Sequence, residues 1–121
     1  MSIVFVDCTL RDGGYYNNWD YPSDLIEEYL GAMSSLSVDY VEIGFRSFDK
    51  RGFKGGAAYS TDAWICRLPV PNGLNIGVMV NASEVVRHPD GVIPALEQLF
   101  APASESPVTL VRFACHVHEI A

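Results

Sequence analysis

Residues 3–7 are IVFVD and residues 40–45 are YVEIGF, and each run is predicted to be a β-strand. The continuous apolar run at 3–7 is typical of a parallel strand that is buried on both faces. In the second run, Val41, Ile43 and Phe45 alternate with Glu42 and Gly44. Side chains alternate between the two faces of a strand. The first three residues are therefore expected on one face, and the other two on the opposite face.

The segment between these strands is predicted to be a helix over residues 22–36. Its apolar side chains recur at helical spacing and form one stripe: Leu25, Ile26, Tyr29, Leu30, Met33 and Leu36. Pro22 suits a first helical turn, and Asp20 or Ser23 is expected to cap it. Residues 3–45 thus predict a strand, a helix and a second strand.

Two further strands are predicted, over residues 75–81 and 108–115, with a broken helical segment at about 83–100 between them. Strands that alternate with helices indicate parallel βαβ units with right-handed crossovers. Two α/β architectures fit this order. One is a small open doubly wound sheet, and the other is the N-terminal half of a (β/α)8 barrel. A complete barrel is excluded, since it needs roughly 200–250 residues and the chain has 121.

Composition limits the partners and the compartment. The eight Lys and Arg against fifteen Asp and Glu give a net charge of −7, which argues against nucleic-acid binding. The sequence has neither an apolar run long enough to span a membrane nor the basic start of a signal peptide. Its three cysteines are an odd number at scattered spacings, so a disulfide framework is not expected. We therefore expect a cytoplasmic protein without nucleic-acid or membrane partners.

Polar residues collect where each predicted strand ends, which is where parallel α/β folds carry their functional groups. In chain order they are Asp7, Thr9, Arg11, Asp12, Glu42, Arg46, Asn81, His116, His118 and Glu119. For any one of them, a loop cap or a solvated charge is an equally good explanation. The recurrence over four strand ends predicts a site at this edge of the sheet.

Glu42 is the strongest single candidate because it lies within a strand. A buried carboxylate is costly unless it is paired or bound to a metal. Glu42 can therefore serve the site directly, or it can form a buried ion pair with Arg112 of the fourth strand. The two roles are compatible.

The segment DCTLRDGGY, residues 7–15, places a guanidinium beside a carboxylate and follows them with two glycines. Asp12 could ligate a hard divalent cation, and Arg11 could hold a developing oxyanion. The glycines allow close backbone approach. From the residue types alone, an ion-paired turn is the alternative.

Two other patterns could take part in a site. His116 and His118 are two residues apart, and on an extended strand they would face the same side and could chelate a metal. Residues 46–56 hold four of the eight basic residues and could form a lid that attracts an anionic substrate. A solvated loop is the alternative for this second segment.

Residues 7–15, with YNNW at 16–19, resemble the opening motif of the pyruvate-type metal-dependent aldolases and lyases. That superfamily includes hydroxymethylglutaryl-CoA lyase, 4-hydroxy-2-oxovalerate aldolase, isopropylmalate synthase and homocitrate synthase. This version is most similar to a bacterial subgroup of uncharacterised aldolase-like proteins. Residues 41–45, 75–79 and 111–116 resemble the second, third and fourth strands of the superfamily. The resemblance implies the N-terminal half of a (β/α)8 barrel, with residues 1–121 as a single partial domain.

The resemblance also implies roles for individual residues. Asp12 would ligate a divalent metal, with Mg²⁺ or Mn²⁺ expected and Zn²⁺ an alternative. Arg11 would stabilise an enolate, and Glu42 would lie near metal and substrate. Tyr15 stands where some of these aldolases have a histidine, so it is the candidate acid or base. The superfamily's metal-binding His-x-His pair belongs to the seventh strand, so His116 and His118 are not its counterpart.

The activity implied is cleavage of a carbon–carbon bond in a 2-oxo acid through a metal-stabilised enolate. The isolated chain is expected to be incomplete and inactive. A Claisen-type acyltransferase, like isopropylmalate synthase, is one alternative. A non-catalytic half-barrel that self-associates as a homodimer is another, because an unclosed barrel leaves exposed edges and an apolar face.

Overall fold

A computed structural model describes residues 2–120, which fold around one four-stranded sheet. The strands are β1 (Val6–Asp7), β2 (Tyr40–Phe45), β3 (Asn75–Asn81) and β4 (Val108–Ala114). They are parallel, and their spatial order is β1-β2-β3-β4. A doubly wound sheet reverses its strand order at a switch point, whereas this order is sequential. The predicted α/β class is confirmed, and the architecture is that of a barrel segment.

Five short helices connect the strands. They are α1 (Thr9–Gly13), α2 (Ser23–Ser35), α3 (Asp62–Cys66), α4 (Ala82–Val86) and α5 (Val92–Leu99). The break between α4 and α5 falls at residues 87–91, where Pro89 lacks a backbone donor and Gly91 has a φ of 94°. Among residues 2–120, no helix is long and apolar enough to cross a bilayer.

The start of β1 differs from its prediction. Only Val6 and Asp7 pair with β2, and the side chains of Ile3, Val4 and Phe5 are exposed. The prediction that residues 3–5 belong to a strand buried on both faces is therefore wrong. The reason is that, within the described chain, β1 lies at an edge of the sheet and has one neighbour.

Helix α2 matches its predicted span within a residue at each end. Ile26 and Leu30 are buried against the sheet, while Leu25 and Leu36, at the margins of the stripe, are exposed. The predicted caps are wrong. Pro22 occupies the capping position, and within the described chain no side chain caps the helix there.

The hydrophobic core lies between the helices and one face of the sheet, which we call the helix face. The main cluster of buried residues comprises Leu10, Ile26, Leu30, Val41, Ile43, Ile65, Leu74, Ile76, Val78 and Val108. A smaller cluster contains Val80, Val85 and Ala95. The opposite face of the sheet, which carries Glu42, is called the open face below.

Strand β2 contains a β-bulge at Ile43. Glu42 is opposite Gly77 of β3, and the next pair in the register is Gly44 opposite Val78, so Ile43 is skipped. A bulge of this kind inserts one residue into the ladder and shifts the alternation of everything that follows. Residues after Ile43 therefore point to the face opposite from the one expected.

The bulge corrects two of the predicted orientations. Gly44 faces the helix side, where an added Cβ would overlap the carbonyl oxygen of Ala57 and lie 2.5 Å from Ser60 Oγ. Phe45 joins Glu42 on the open face and packs against the Trp19 ring. The predicted faces for Gly44 and Phe45 are wrong because a regular alternation was assumed.

Candidate functional site

The centre of the candidate site is the carboxylate of Glu42, whose side chain is 0% exposed. Arg112 Nε donates to Oε1 at 2.7 Å, and Arg112 Nη2 donates to Oε2 at 2.8 Å. Arg11 Nε donates to Oε2 at 3.1 Å from the other side. The ion pair between Glu42 and Arg112 that the sequence allowed is therefore confirmed, and Arg11 adds a second guanidinium.

The two guanidinium groups set the charge of Glu42. Burial by itself would raise the pKa of this carboxyl, but the hydrogen bonds from Arg112 and Arg11 outweigh it and hold the pKa below its usual range. The same bond raises the pKa of Arg112. An ionised carboxylate with both oxygens occupied is a poor proton acceptor. Its geometry suits it to fix two guanidinium groups in place.

Arg11 and Asp12 lie on α1, which begins two residues after β1 ends. Arg11 Nη1 is 3.3 Å from Asp12 Oδ1, and the guanidinium carbon is 5.8 Å from the centre of the Phe45 ring. The Arg11 side chain is 13% exposed, whereas that of Asp12 is 72% exposed. Asp12 is therefore open to solvent, beside a positive group that is held by Glu42.

Helix α1 is held by two aromatic side chains that hydrogen-bond to its carbonyl groups. Trp19 Nε1 donates to Arg11 O at 2.8 Å, and Tyr21 Oη donates to Leu10 O at 2.7 Å. The Trp19 ring lies on Gly14, where any added Cβ would overlap the indole. This packing is the physical reason for Gly14 and Trp19 in the opening motif.

The sequence did not indicate that Trp19 positions α1. Trp19 has a φ of 56°, in the left-handed region that bulky residues rarely adopt, and Asn18 before it has a φ of 57°. Its backbone N–H donates to Gly14 O at 3.1 Å and to Asn17 Oδ1 at 3.1 Å, which holds the turn. The Asn-Asn pair at 17 and 18 was the available signal, since asparagine favours such turns.

Tyr15 belongs to an aromatic cluster with Trp19 and Phe45. The Tyr15 ring is 4.9 Å from Trp19 and 6.2 Å from Phe45, both in edge-to-face geometry. The three rings line a cavity of about 340 Å³ together with Asn81 and Lys54. Tyr15 is itself largely exposed. The predicted site residues Tyr15 and Asn81 are thus brought to one cavity.

Arg46 is not part of the site, contrary to the prediction from its position at a strand end. It is buried, and it donates from Nε to Ser60 O at 2.8 Å and from Nη1 to Leu99 O at 2.7 Å. It also forms an ion pair with Asp62. The bulge in β2 turns its side chain to the helix face, where it borders a separate cavity of about 760 Å³.

The basic loop at residues 46–56 has much of its charge paired internally. Asp49 accepts hydrogen bonds from Arg51 Nε at 3.0 Å and from Lys54 Nζ at 2.8 Å. Hydrogen bonds from Arg51 and Lys54 hold the pKa of Asp49 well below its usual range. Glu84 anchors the loop by accepting from Ser47 Oγ at 2.8 Å. Attraction of an anionic substrate by this loop is correspondingly weaker than four free cations would suggest.

Asp7 and Thr9 organise the start of α1. Asp7 accepts a hydrogen bond from the Tyr29 hydroxyl and one from Thr9 N at 3.0 Å. Burial by itself would raise the pKa of Asp7, but the two hydrogen bonds outweigh it and lower the pKa. The pKa of Tyr29 is raised by burial and by its hydrogen bond to Asp7. This network ties β1 to α2. Asp7 is therefore a structural anchor between these two elements.

His116, His118 and Glu119 follow β4, which ends at Ala114. Residues Val117–Glu119 form a 3₁₀ turn, so the two histidines do not lie on an extended strand as expected. The chelate geometry inferred from strand periodicity is therefore wrong. The turn nevertheless brings both imidazoles to the Glu119 carboxylate.

Comparison with known proteins gives one informative match. No protein-family model matches the chain, and no curated protein does. The fold is similar to the crystal structure of the N-terminal domain of a putative aldolase from Bacteroides vulgatus, with a TM-score of 0.71 and 29% sequence identity. The match covers 93% of this chain and 36% of that one, so this chain spans about a third of the length of that solved chain. These findings support an aldolase-like relationship for a half-barrel of four parallel strands.

Proposed function

We propose that this chain carries part of the active site of a metal-dependent aldolase or lyase that cleaves a 2-oxo acid. The observation that carries the proposal is the Asp12–Arg11–Glu42 arrangement at the carboxyl edge of the sheet. Asp12 is open to solvent, Arg11 is fixed by Glu42, and both follow β1 directly. The likeness to an aldolase domain supports the reaction class.

The donor set suits a hard divalent cation. Asp12 offers carboxylate oxygens, which Mg²⁺ and Mn²⁺ prefer to nitrogen or sulfur. Such an ion would polarise the carbonyl of the 2-oxo acid. Further ligands would come from the substrate, water or other parts of a complete barrel. Zn²⁺ is favoured less by the carboxylate that this chain offers.

The residues of this chain then have separate tasks. When the bond between C3 and C4 of a 4-hydroxy-2-oxo acid breaks, its electron pair forms the C2–C3 double bond and the carbonyl pair moves onto the C2 oxygen as an enolate. The C4 hydroxyl gives up its proton, and C4 becomes the carbonyl carbon of the second product. Arg11 would hold the negative charge with the N–H groups that Glu42 and Asp12 leave unused. Glu42 acts by fixing Arg11. Tyr15 is the candidate group that would take the C4 hydroxyl proton and return it to the enolate carbon, so that no net proton is gained or lost.

The test is cleavage of 4-hydroxy-2-oxo acids by the full-length protein with Mn²⁺, followed by coupled reduction of the 2-oxo acid released. Asp12→Asn should reduce kcat/KM by at least ~100-fold, since it removes a charged ligand. The matched control is Asp24→Asn in the first turn of α2, which should leave the rate unchanged. Full activity in Asp12→Asn would refute the site. Thiol release from acetyl-CoA, with no cleavage, would instead establish the acyltransferase.

A second candidate, the self-associating half-barrel, is favoured by the exposed apolar side chains at both edges of the sheet. Ile3 and Phe5 lie beside β1, while Phe113, Val117 and Ile120 lie on or after β4. Within residues 2–120, β1 and β4 each pair with a single strand, and such edges pair readily with another chain. Light scattering should give a dimer that Phe5→Glu dissociates. A monomer at high concentration would contradict this candidate.

A further inference from the structure

The turn after β4 brings three potential metal ligands together, and we refer to His116, His118 and Glu119 as the His–Glu cluster. Its backbone is fixed by two reciprocal hydrogen bonds. Glu119 N donates to His116 O at 2.9 Å, and Glu119 Oε2 accepts from His116 N at 2.9 Å. The turn also packs against α4. The ligand atoms are therefore carried by a defined turn.

The side chains converge on one carboxylate oxygen. His116 Nδ1 is 3.3 Å from Glu119 Oε1, and His118 Nε2 is 3.9 Å from the same atom. All three ligand atoms lie within 4.8 Å of one another. Ligands at 2.0–2.2 Å from a tetrahedral Zn²⁺ are separated by roughly 3.3–3.6 Å. Shifts on the order of 1 Å would therefore bring the three ligand atoms to coordinating distances.

The burial pattern leaves the cluster open on its imidazole side. The Glu119 side chain is 4% exposed, whereas both histidines are 73% exposed. Oε2 is occupied by the backbone, and Oε1 faces the two ring nitrogens. The two imidazole rings are stacked, with centroids 5.5 Å apart and an angle of 15° between their planes, so the rings must turn for both nitrogen lone pairs to point at one cation beside Oε1.

We infer that the His–Glu cluster binds one transition-metal ion of the Zn²⁺ class, with water or another donor in the remaining position. Two imidazoles and one carboxylate are a known ligand set for zinc with an open site. The cluster is distinct from Asp12, because β1 and β4 are the two outer strands of the sheet. Its chemistry also differs, since imidazoles favour Zn²⁺ whereas carboxylate oxygens favour Mg²⁺ or Mn²⁺.

The test is calorimetric titration of the metal-free protein with Zn²⁺, together with the visible absorption of bound Co²⁺, which reports nitrogen coordination. One ion per chain is expected. His118→Ala and Glu119→Gln should each weaken Zn²⁺ binding by at least ~10-fold. Glu119→Gln keeps an oxygen to accept the His116 N–H, so it removes the charge while it preserves the turn.

Three controls isolate the cluster. His88→Gln alters the third histidine of the chain, which packs on Phe48, and should leave Zn²⁺ binding unchanged. Asp12→Asn should weaken Mn²⁺ binding and leave Zn²⁺ binding intact, so failure of the proposed aldolase site and failure of this site are distinguishable. Cys115→Ser should have no effect. Zn²⁺ affinity that survives His118→Ala, or that is lost in Cys115→Ser or His88→Gln, would overturn the inference.

Discussion

Arg112 on β4 reaches across β3 and holds Glu42 on β2 with two hydrogen bonds, of 2.7 and 2.8 Å. The pair links strands that do not touch, and it compensates a charge that is entirely removed from water. Arg11 on α1 binds the same carboxylate, so the Glu42 side chain is an anchor for both β4 and α1. Loss of that anchor should affect both the fold and the candidate site.

Replacing Glu42 with Gln should lower the free energy of unfolding by about 3–5 kcal/mol, because two guanidinium groups would lose their counterion. Chemical denaturation at pH 7 measures this change. Glu28→Gln, on the exposed side of α2, is the matched control and should shift stability by less than about 0.5 kcal/mol. Equal stability of the two variants would show that the ion pair contributes little.

The effect of Glu42→Gln should depend on pH. The pKa of Glu42 is lowered in the folded state, so its contribution is complete above its unfolded pKa of about 4.3. It is lost as the pH falls through the lower folded value. The stability difference between wild type and Glu42→Gln should therefore shrink below about pH 4. A constant difference from pH 7 to pH 3 would contradict the lowered pKa.

Gly44→Ala should destabilise the protein by about 3 kcal/mol or more, because its Cβ would overlap the Ala57 carbonyl oxygen and crowd Ser60. Gly31→Ala is the opposite case. Gly31 lies in α2 with open space around it, so alanine should stabilise the helix by up to about 1 kcal/mol. Thermal unfolding of the two variants should move in opposite directions. A neutral Gly44→Ala would argue against the bulge.

Tyr29→Phe should lower stability by about 1.5–3 kcal/mol at neutral pH, because the Asp7 carboxylate would lose a hydrogen bond. The pKa of Tyr29 is raised in the folded state, so its contribution is present below its unfolded pKa of about 10. It is lost as the pH rises toward the folded value. The variant should therefore lose less stability than wild type on moving from pH 9 to pH 11, as followed by urea titration. Parallel losses would refute this.

Much of the fold was predictable, because hydrophobic periodicity and turn residues are local signals. Strands β2 and β3 and helix α2 lie within a residue of their predicted bounds. The pairing of Glu42 with Arg112 was also predictable, since a carboxylate inside the buried strand β2 requires a partner and Arg112 is the charge within β4. The functional roles of Asp12, Arg11 and Tyr15 remain predictions.

The rest depends on contacts between distant parts of the chain. The bulge at Ile43 arises from the register with Gly77 and Val78 of β3. The pattern of apolar and polar residues within β2 therefore does not indicate it. Burial of Arg46 follows from that bulge. The bond between Tyr29 and Asp7 joins residues 22 positions apart, and neither residue type alone indicates it.

Because of the bulge, the side chains of β2 do not alternate regularly between the two faces of the sheet. In a regular strand, residues three positions apart lie on opposite faces. Glu42 and Phe45 are three positions apart, yet both lie on the open face and both contact the Arg11 guanidinium. One inserted residue thus lets a single strand offer a carboxylate and an aromatic ring to the same cation. A regular ladder that kept all six residues of β2 would place Glu42 and Phe45 on opposite faces, exchange the surroundings of Phe45 and Arg46, and leave Arg11 with only one of its two contacts on this strand.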